Sequence, residues 1–235
     1  MNLSSLFSSL KRKVLNFLFP PRCVSCGKGG SFLCRKCHNK LIYLQPPLCT
    51  RCSKPIRTGT ICSKCQSQTW DIDGIYSIFK YGGAIRQAII QFKYENIKVL
   101  ADPLSHCMVE YLKEYNLSFD VIIPVPIHKR RLRERGYNQS SLLAQRLSRM
   151  TRIPVVEGTL IRIRHTPSQA KSDNVDQRRK NIENAFKCVN HDISGKRILI
   201  IDDVCTSGAT LNSCATSLKS AGAASVWGLT LAKEI

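Results

Sequence analysis

Acidic residues are missing from the first part of this 235-residue chain, which has no aspartate or glutamate before Asp71. The same part carries twelve of the 36 lysines and arginines, so the rest holds the other 24 together with all 16 acidic residues. The formal net charge of +20 therefore has two sources, an acid-free head and a moderately basic body. Such a surface attracts polyanions, but charge alone fits nucleic acid, anionic lipid, phosphorylated small molecules or simply a basic soluble protein.

Long apolar runs are missing as well. None approaches the roughly 18 residues that a transmembrane helix requires, and the start of the chain has no convincing secretory signal peptide. We therefore expect a reducing, cytoplasmic location, in which the cysteines would not form a disulfide framework. The first 19 residues predict an amphipathic segment that either packs on the protein or lies peripherally at the inner membrane, because these apolar residues recur at helical spacing: Leu3, Leu6, Leu10, Val14 and Phe17.

Two nucleotide-binding signatures are absent too, and aromatic residues are few. The chain has neither the Walker-type Gly-x-x-x-x-Gly-Lys-Ser/Thr nor Gly-x-Gly-x-x-Gly, which disfavours ATPase and dinucleotide-binding functions. Aromatic residues make up 7% of the chain, so stacking platforms for single-stranded nucleic acid are few, and Tyr137 is one candidate.

Cysteine, by contrast, is abundant. Eight of the twelve cysteines form four pairs with two residues inside each pair: Cys23 and Cys26, Cys34 and Cys37, Cys49 and Cys52, Cys62 and Cys65. Two such pairs can complete a closed four-thiolate zinc site, so residues 20–69 are predicted to hold one or two structural zinc ions, with the pairing left open. The metal would supply folding free energy that this core-poor head lacks, and four thiolates leave no position for catalysis. A redox dithiol is the alternative for one pair.

Beyond residue 70, short apolar runs alternate with helical periodicity. Strands are expected over residues 120–125, 153–156, 198–201 and 225–231, with a strand or hairpin before residue 84. Helices are expected over residues 84–94, after a cap at Asn138, and from about Ala209 to Gly222. We predict an α/β fold with a mostly parallel open sheet over residues 70–235, whose ligand sites lie at the carboxyl ends of the strands.

Two carboxylates, Asp202 and Asp203, follow the run at 198–201 and precede a loop of small and hydroxyl-bearing residues. These are Thr206, Ser207, Gly208, Ala209 and Thr210. Backbone N–H groups of such a loop can approach a phosphate, while carboxylates can accept hydrogen bonds from ribose hydroxyls or from water on a metal. The run resembles the motif with which type I phosphoribosyltransferases bind 5-phosphoribosyl 1-pyrophosphate (PRPP), which implies PRPP with Mg²⁺ as the ligand.

A basic loop over residues 124–139 follows the strand at 120–125 and is expected at the same edge of the sheet. The resemblance implies that its Lys129, Arg130 and Arg131 receive pyrophosphate, for which guanidinium geometry is suited. A solvated charged face explains the same residues equally well. His128 either titrates as an acid or base or orients the loop.

A long polar stretch over residues 162–186 is either disordered or a lid over pyrophosphate. Four of its side chains are expected to reach inward: Arg164, Thr166, Gln169 and Lys171. Arg178 and Arg179 either brace its base or meet nucleic acid. Asp202, Asp203, Lys129, Arg130 and Arg164 are therefore the candidate catalytic residues.

Three motifs besides the cysteine pairs resemble the ComF family: Phe-Lys-Tyr at residues 92–94, the basic loop, and the Arg-rich stretch that ends in Ala-Phe at residues 185–186. The resemblance implies a double zinc ribbon joined to a phosphoribosyltransferase-like domain, in proteins associated with DNA uptake during natural transformation. It implies no known reaction.

Three functions remain open. The first is a PRPP-binding protein that supports the uptake or handling of single-stranded DNA. The second is an active phosphoribosyltransferase that uses Mg²⁺ and an unidentified acceptor. The third is a zinc-ribbon adaptor that docks on a DNA-uptake helicase or a membrane channel component.

Overall fold

The computed structural model describes residues 20–164, 185–190 and 192–235. Its strands are β1 (Gly74–Lys80), β2 (Val121–Pro124), β3 (Leu160–Arg162), β4 (Phe186–Cys188), β5 (Arg197–Cys205) and β6 (Ser225–Lys233). Its α-helices are α1 (Arg35–His38), α2 (Ser63–Gln66), α3 (Gly83–Tyr94), α4 (Ala101–Glu114), α5 (Lys129–Arg135), α6 (Gln139–Thr151) and α7 (Ala209–Ser220). Four strands form a parallel sheet in the order β1–β6–β5–β2, while β3 and β4 form a separate antiparallel pair. The predicted α/β class and parallel sheet are confirmed.

The apolar run of β5 is explained by burial on both faces of the sheet. Leu199 and Ile201 are fully buried among the side chains of α3, α4 and α6, whereas Ile198 and Ile200 are fully buried against α7. A strand covered on both sides has no solvent-facing position for a polar residue, so its sequence does not alternate. The carboxyl end of this central strand is therefore the point where polar groups first become available.

Helix α6 begins where the sequence predicts. Asn138 is its N-cap, and the side-chain oxygen accepts a hydrogen bond from the Ser140 N–H at 3.1 Å, while the side-chain nitrogen donates to the Val125 carbonyl at 3.0 Å. The cap thus satisfies a free helix donor and ties the helix to the residue after β2. The strand expected over residues 153–156, however, is reduced to an isolated parallel bridge in which Val155 pairs with Ile122.

The basic loop expected around Lys129 is in fact a helix, α5. His128 caps it, since Nδ1 accepts a hydrogen bond from the Arg130 N–H at 3.2 Å, and Gly136 ends it at a left-handed φ of 75°. Arg130 Nε lies 3.0 Å from Glu134 Oε1 one turn later. Lysine, arginine, leucine and glutamate are good helix formers, and an i,i+4 ion pair supports them. The segment therefore folds as a helix although its dense charge was interpreted as a loop.

The cysteine-rich head packs directly on the α/β body. Residues 42–44 run antiparallel to β1, where the Leu44 N–H donates to the Ile78 carbonyl at 2.9 Å and the Lys80 N–H donates to the Ile42 carbonyl at 2.8 Å. Leu41 is buried within the core of the body. The domain boundaries expected from the sequence, at residues 1–19, 20–69 and 70–235, stay a prediction. No helix within the described ranges is long and apolar enough to cross a membrane.

Candidate functional site

Two four-cysteine clusters form in the head. One consists of Cys23, Cys26, Cys34 and Cys37, the other of Cys49, Cys52, Cys62 and Cys65, and in each the sulfur atoms lie within 4.8 Å of one another. The structure therefore pairs consecutive knuckles and forms both sites that the spacing allows. Four sulfurs at these separations suit tetrahedral zinc, and such a closed set fits a structural role.

The two clusters are built as a repeat. In the first, the Cys34 N–H donates to Cys23 Sγ at 3.4 Å, and in the second the Cys62 N–H donates to Cys49 Sγ at 3.3 Å. Burial raises the pKa of both accepting thiols, but the surrounding N–H donors outweigh it and lower the pKa of Cys23 to about 6 and that of Cys49 to about 7. At these two cysteines the N–H donors thus favour the thiolate, the form that binds zinc, whereas the pKa of Cys37 and of Cys52 is raised in the metal-free fold.

The two carboxylates at the end of β5 lie in different surroundings. Asp203, whose side chain is 7% exposed, has its Oδ1 2.7 Å from Lys93 Nζ of α3. Burial alone would lower the pKa of Lys93, but the charge of Asp203 and the hydrogen bond to it raise that pKa. The Asp203 carboxylate therefore favours the charged form of Lys93.

Asp202 has no such cationic contact at this distance among the described residues, and it is held by neutral donors. Its Oδ1 accepts hydrogen bonds from Ser140 Oγ at 3.0 Å and from the Asp203 N–H at 2.9 Å. Burial, and then the charge of Asp203, raise the pKa of Asp202 to about 6. A carboxylate that is costly to ionise in the empty site gains when a ligand brings donors or a metal.

Lys93 and Ser140 are functional candidates that the sequence reasoning missed. Lys93 was visible only as the middle residue of the Phe-Lys-Tyr motif, which carried a resemblance but no role. Ser140 follows the Asn138 cap, where a serine is unremarkable. Both reach Asp202 or Asp203 across more than 60 residues of sequence, so only the tertiary fold brings them there.

The predicted phosphate loop forms between β5 and α7. Gly208 adopts a left-handed φ of 83° as the N-cap of α7, and Ser207 Oγ accepts a hydrogen bond from the Ala209 N–H at 3.3 Å. Thr210 lies in the first helical turn. Lys233, only 5% exposed at the end of β6, donates a hydrogen bond from Nζ to the Thr206 carbonyl. This places a buried ammonium directly under the loop, where its charge favours a bound anion.

The basic residues divide between the surface and the site. Lys129 and Arg130 are exposed on α5, whereas Arg131 is half-buried, and burial followed by the charge of Arg135 lowers its pKa. Burial and then the charge of Arg131 lower the pKa of Arg162, and the charge of Asp202 counteracts this. Arg131 and Arg162 are therefore within electrostatic range of each other, and Arg162 is within electrostatic range of Asp202. Cations held close enough to disfavour each other suit an anionic ligand.

Arg164 is exposed, and its carbonyl accepts a hydrogen bond from Arg162 Nε at 3.3 Å. Its role in the site stays a prediction. The expectation that Tyr137 offers an exposed stacking platform is wrong. Its ring is 7% exposed and its hydroxyl donates to the Phe92 carbonyl. The remaining lid candidates lie outside the described residues: Thr166, Gln169, Lys171, Arg178 and Arg179.

Two family descriptions match the chain. The one described as a double zinc ribbon domain matches residues 14–66, and the one described as a phosphoribosyl transferase domain matches residues 93–234. The second match covers more than half of the chain and includes every residue assigned to the β5 site.

Known proteins align over most of the chain. Competence protein F of Haemophilus influenzae is 30% identical over 224 residues, covering 85% of this chain and 96% of the relative. DNA utilization protein YhgH of Escherichia coli O157:H7 is 31% identical over 185 residues, covering 76% of this chain and 81% of the relative. Among solved structures, the glutamine PRPP amidotransferase from B. subtilis, complexed with ADP and GMP, gives a TM-score of 0.42 at 19% identity, covering 60% of this chain and 30% of that one.

Proposed function

This chain belongs to the ComF family, in which a double zinc ribbon is joined to a phosphoribosyltransferase-type domain, and from that membership we propose that it binds PRPP and supports the handling of single-stranded DNA during natural transformation. The names of its relatives, competence protein F and DNA utilization protein, support the role in DNA uptake. The ligand is argued from the end of β5.

The observation that carries the ligand is a phosphate-type loop directly beside two carboxylates. The loop and the buried Lys233 ammonium favour an anion, whereas Asp202 and Asp203 would repel one. A ligand satisfies both only if it presents hydroxyl groups next to its phosphate. Ribose 5-phosphate has this arrangement, with the 5-phosphate for the loop and the 2- and 3-hydroxyls for the carboxylates.

The two carboxylates have separate tasks in this proposal. Asp203 is neutralised by Lys93, so it orients the sugar without adding a free negative charge. Asp202 uses Oδ1 for Ser140 and for the backbone, which assigns Oδ2 to a ribose hydroxyl or to water on a metal. Arg162 is within electrostatic range of both Asp202 and Arg131, and these two guanidinium groups would receive the pyrophosphate of PRPP.

Magnesium fits the donor set, because Mg²⁺ prefers carboxylate, water and phosphate oxygens and Asp202 is the carboxylate placed to hold its water shell. When bound, the ion would neutralise charge on the pyrophosphate. The chain's own residues would hold the ribose, fix the phosphate and bring guanidinium groups to the leaving side.

Calorimetric titration with PRPP and Mg²⁺ tests the ligand. We expect Asp202→Asn to weaken binding at least about tenfold, since it replaces a charged acceptor of a ribose hydroxyl. Asp102→Asn, which removes a carboxylate on the surface of α4, is the matched control and should bind like the wild type. Asp203→Asn is a poorer choice because it leaves the half-buried Lys93 without its counter-charge. Equal affinity of Asp202→Asn and the wild type would contradict the ribose assignment.

An active phosphoribosyltransferase is the second candidate, favoured by the arginines near Asp202. A cationic pair that draws charge from departing pyrophosphate is the arrangement that transfer requires. Pyrophosphate release from PRPP and Mg²⁺, with and without single-stranded DNA, separates the two functions. Release would establish turnover, and binding without release would favour PRPP as a bound ligand.

A further inference from the structure

The indole of Trp70 lies directly on the phosphate loop. A Cβ placed on Gly208 would lie 2.8 Å from Trp70 Cη2, a separation that real Cβ atoms essentially never show, and 3.0 Å from its Cζ3. Ile75 Cδ1 would be 3.1 Å away, so two side chains pack close to the loop backbone at Gly208. Glycine is thus required at residue 208 by this contact as well as by its left-handed φ.

The same tryptophan packs on the second zinc cluster. Its ring joins the buried group formed by Cys49, Cys52 and Cys65 and also packs against the core around α7. Arg51, which lies inside the first knuckle of this cluster, donates a hydrogen bond from Nη1 to the Trp70 carbonyl at 3.2 Å. One side chain therefore contacts both the metal-binding unit and the loop.

The residues after Trp70 are fixed to the helix that carries the loop. Asn212 Oδ1 of α7 accepts hydrogen bonds from the N–H groups of Asp71 and Ile72, at 2.8 and 3.1 Å. Thr216 Oγ1, one turn later, donates to Asp71 Oδ2. Residues 70–72 therefore form a short connection between the second cluster and the start of α7, with contacts at both ends.

The first cluster contacts different parts of the body. Val24, between its first two cysteines, accepts a hydrogen bond from Gln91 of α3 at 3.4 Å, and His38 lies 3.7 Å from Cys107 of α4. These helices are on the opposite side of the sheet from α7. The two ribbons are alike in construction but not in what they support.

We propose that Trp70 is a positioning residue for the phosphate loop, and that the second zinc cluster, but not the first, sets the loop conformation through it. Phosphate binding by backbone N–H groups depends on their alignment, so a loop freed from the indole would bind less tightly. The part of this inference that concerns ligand affinity rests on the proposed function. The part that concerns loop order does not.

The first test compares the two tryptophans of the chain. Trp227 also lies beside the second ribbon, since its ring fills the space over Gly74 next to the Thr50 carbonyl, but it stacks on Tyr76 and not on the loop. Trp70→Ala is expected to speed amide hydrogen exchange in residues 204–210 and to weaken ribose 5-phosphate and PRPP binding about tenfold. Trp227→Ala should change neither quantity in that loop, and Trp70→Phe should restore most of both.

The second test uses the repeat itself. Cys37 and Cys65 are each the third residue of a one-turn helix, α1 and α2, so Cys37→Ser and Cys65→Ser are matched lesions of the two clusters. In a Trp227→Phe background the emission reports Trp70 alone, apart from tyrosine. We expect Cys65→Ser, with its zinc loss measured, to shift that emission and loosen the loop, and Cys37→Ser to leave both unchanged.

The outcomes separate the two proposals. A wild-type protein that binds neither ribose 5-phosphate nor PRPP would overturn the proposed function, while loop exchange and Trp70 emission still decide the inference. Unchanged loop exchange in both Trp70→Ala and Cys65→Ser would overturn the inference, whatever the affinity. If Trp70→Ala fails to fold by circular dichroism, Trp70→Phe and Cys65→Ser carry the test, and equal effects of Cys37→Ser and Cys65→Ser on the loop would count against it.

Discussion

Adjacent identical residues in this site differ because their contacts differ. Asp203 lies against the Lys93 ammonium, and Asp202 lies against a hydroxyl and a backbone N–H. Asp203 therefore has a charged partner, whereas burial and then the neighbouring charge of Asp203 raise the pKa of Asp202. Ligand binding should therefore be sensitive to pH through Asp202.

We expect PRPP affinity to be full above about pH 7 and to fall as the pH drops through about 6. The sign follows from the task of Asp202, since only the ionised carboxylate can accept a hydrogen bond on both oxygens, and its pKa is raised to about 6 in the free protein. Calorimetry between pH 5 and pH 8 checks this. The phosphate groups of the ligand titrate in the same pH range, so the informative comparison is Asp202→Asn, whose profile should lack the step; an unchanged step would assign it elsewhere.

At the scale of elements, helix α6 connects a sequence signal to the site. Asn138 caps it, and the next residues bring Ser140 to Asp202. The start of this helix is therefore both a structural boundary and part of the ligand site. A substitution of the N-cap residue should lower the stability of the protein, because the capping hydrogen bond satisfies a helix N–H that would otherwise be buried without a partner.

Asn138→Ala should lower the free energy of unfolding by about 1 kcal/mol, and the melting temperature by roughly 2–4 °C for a chain of this size. Asn138→Ser keeps an oxygen for the Ser140 N–H but loses the donor to the Val125 carbonyl. Its melting temperature should therefore lie between those of Asn138→Ala and the wild type. Thermal unfolding followed by circular dichroism measures both. A melting temperature for Asn138→Ala equal to that of the wild type would show that the cap adds nothing measurable.

Elements with a local signal could be predicted from the sequence, and those set by distant contacts could not. The cysteine knuckles, the β5 strand and the loop before α7 depend on neighbours in sequence, and the structure has all three. Helix α5 was wrongly predicted as a loop from its dense positive charge, although its residues are good helix formers. Lys93, Ser140 and Trp70 act through contacts with residues 62 to 138 positions away, for which a single sequence holds no signal.

The charge of the whole molecule is divided between an acid-free head and a body that carries all of the acidic residues. The head exposes its lysines at residues 28, 36 and 64, whereas Asp203 is buried and Asp202 half-buried. If single-stranded DNA contacts the head, the contact should appear as counterion release when salt is varied.

Lys28→Gln, Lys36→Gln and Lys64→Gln combined should reduce the slope of log affinity against log salt by about 0.7 for each lost phosphate contact, because fewer counterions are released. The matched control changes three exposed lysines of the body, Lys113, Lys187 and Lys196, and removes the same charge. Fluorescence anisotropy with labelled single-stranded DNA at several salt concentrations measures the slopes. Equal slopes in both triple variants would place the DNA contact outside the head.

The antiparallel segment at residues 42–44 affects how the α/β domain would behave if it were separated from the head. The segment pairs with the outer edge of β1, and Val155 pairs with the outer edge of β2. Neither edge of the sheet is therefore left with a long row of unpaired N–H and C=O groups. Cutting the chain after the zinc ribbons would remove these partners and leave the outer edge of the seven-residue β1 without them. Strand addition by another copy would then compete with folding, and self-association of the isolated domain would reflect the cut and not the protein.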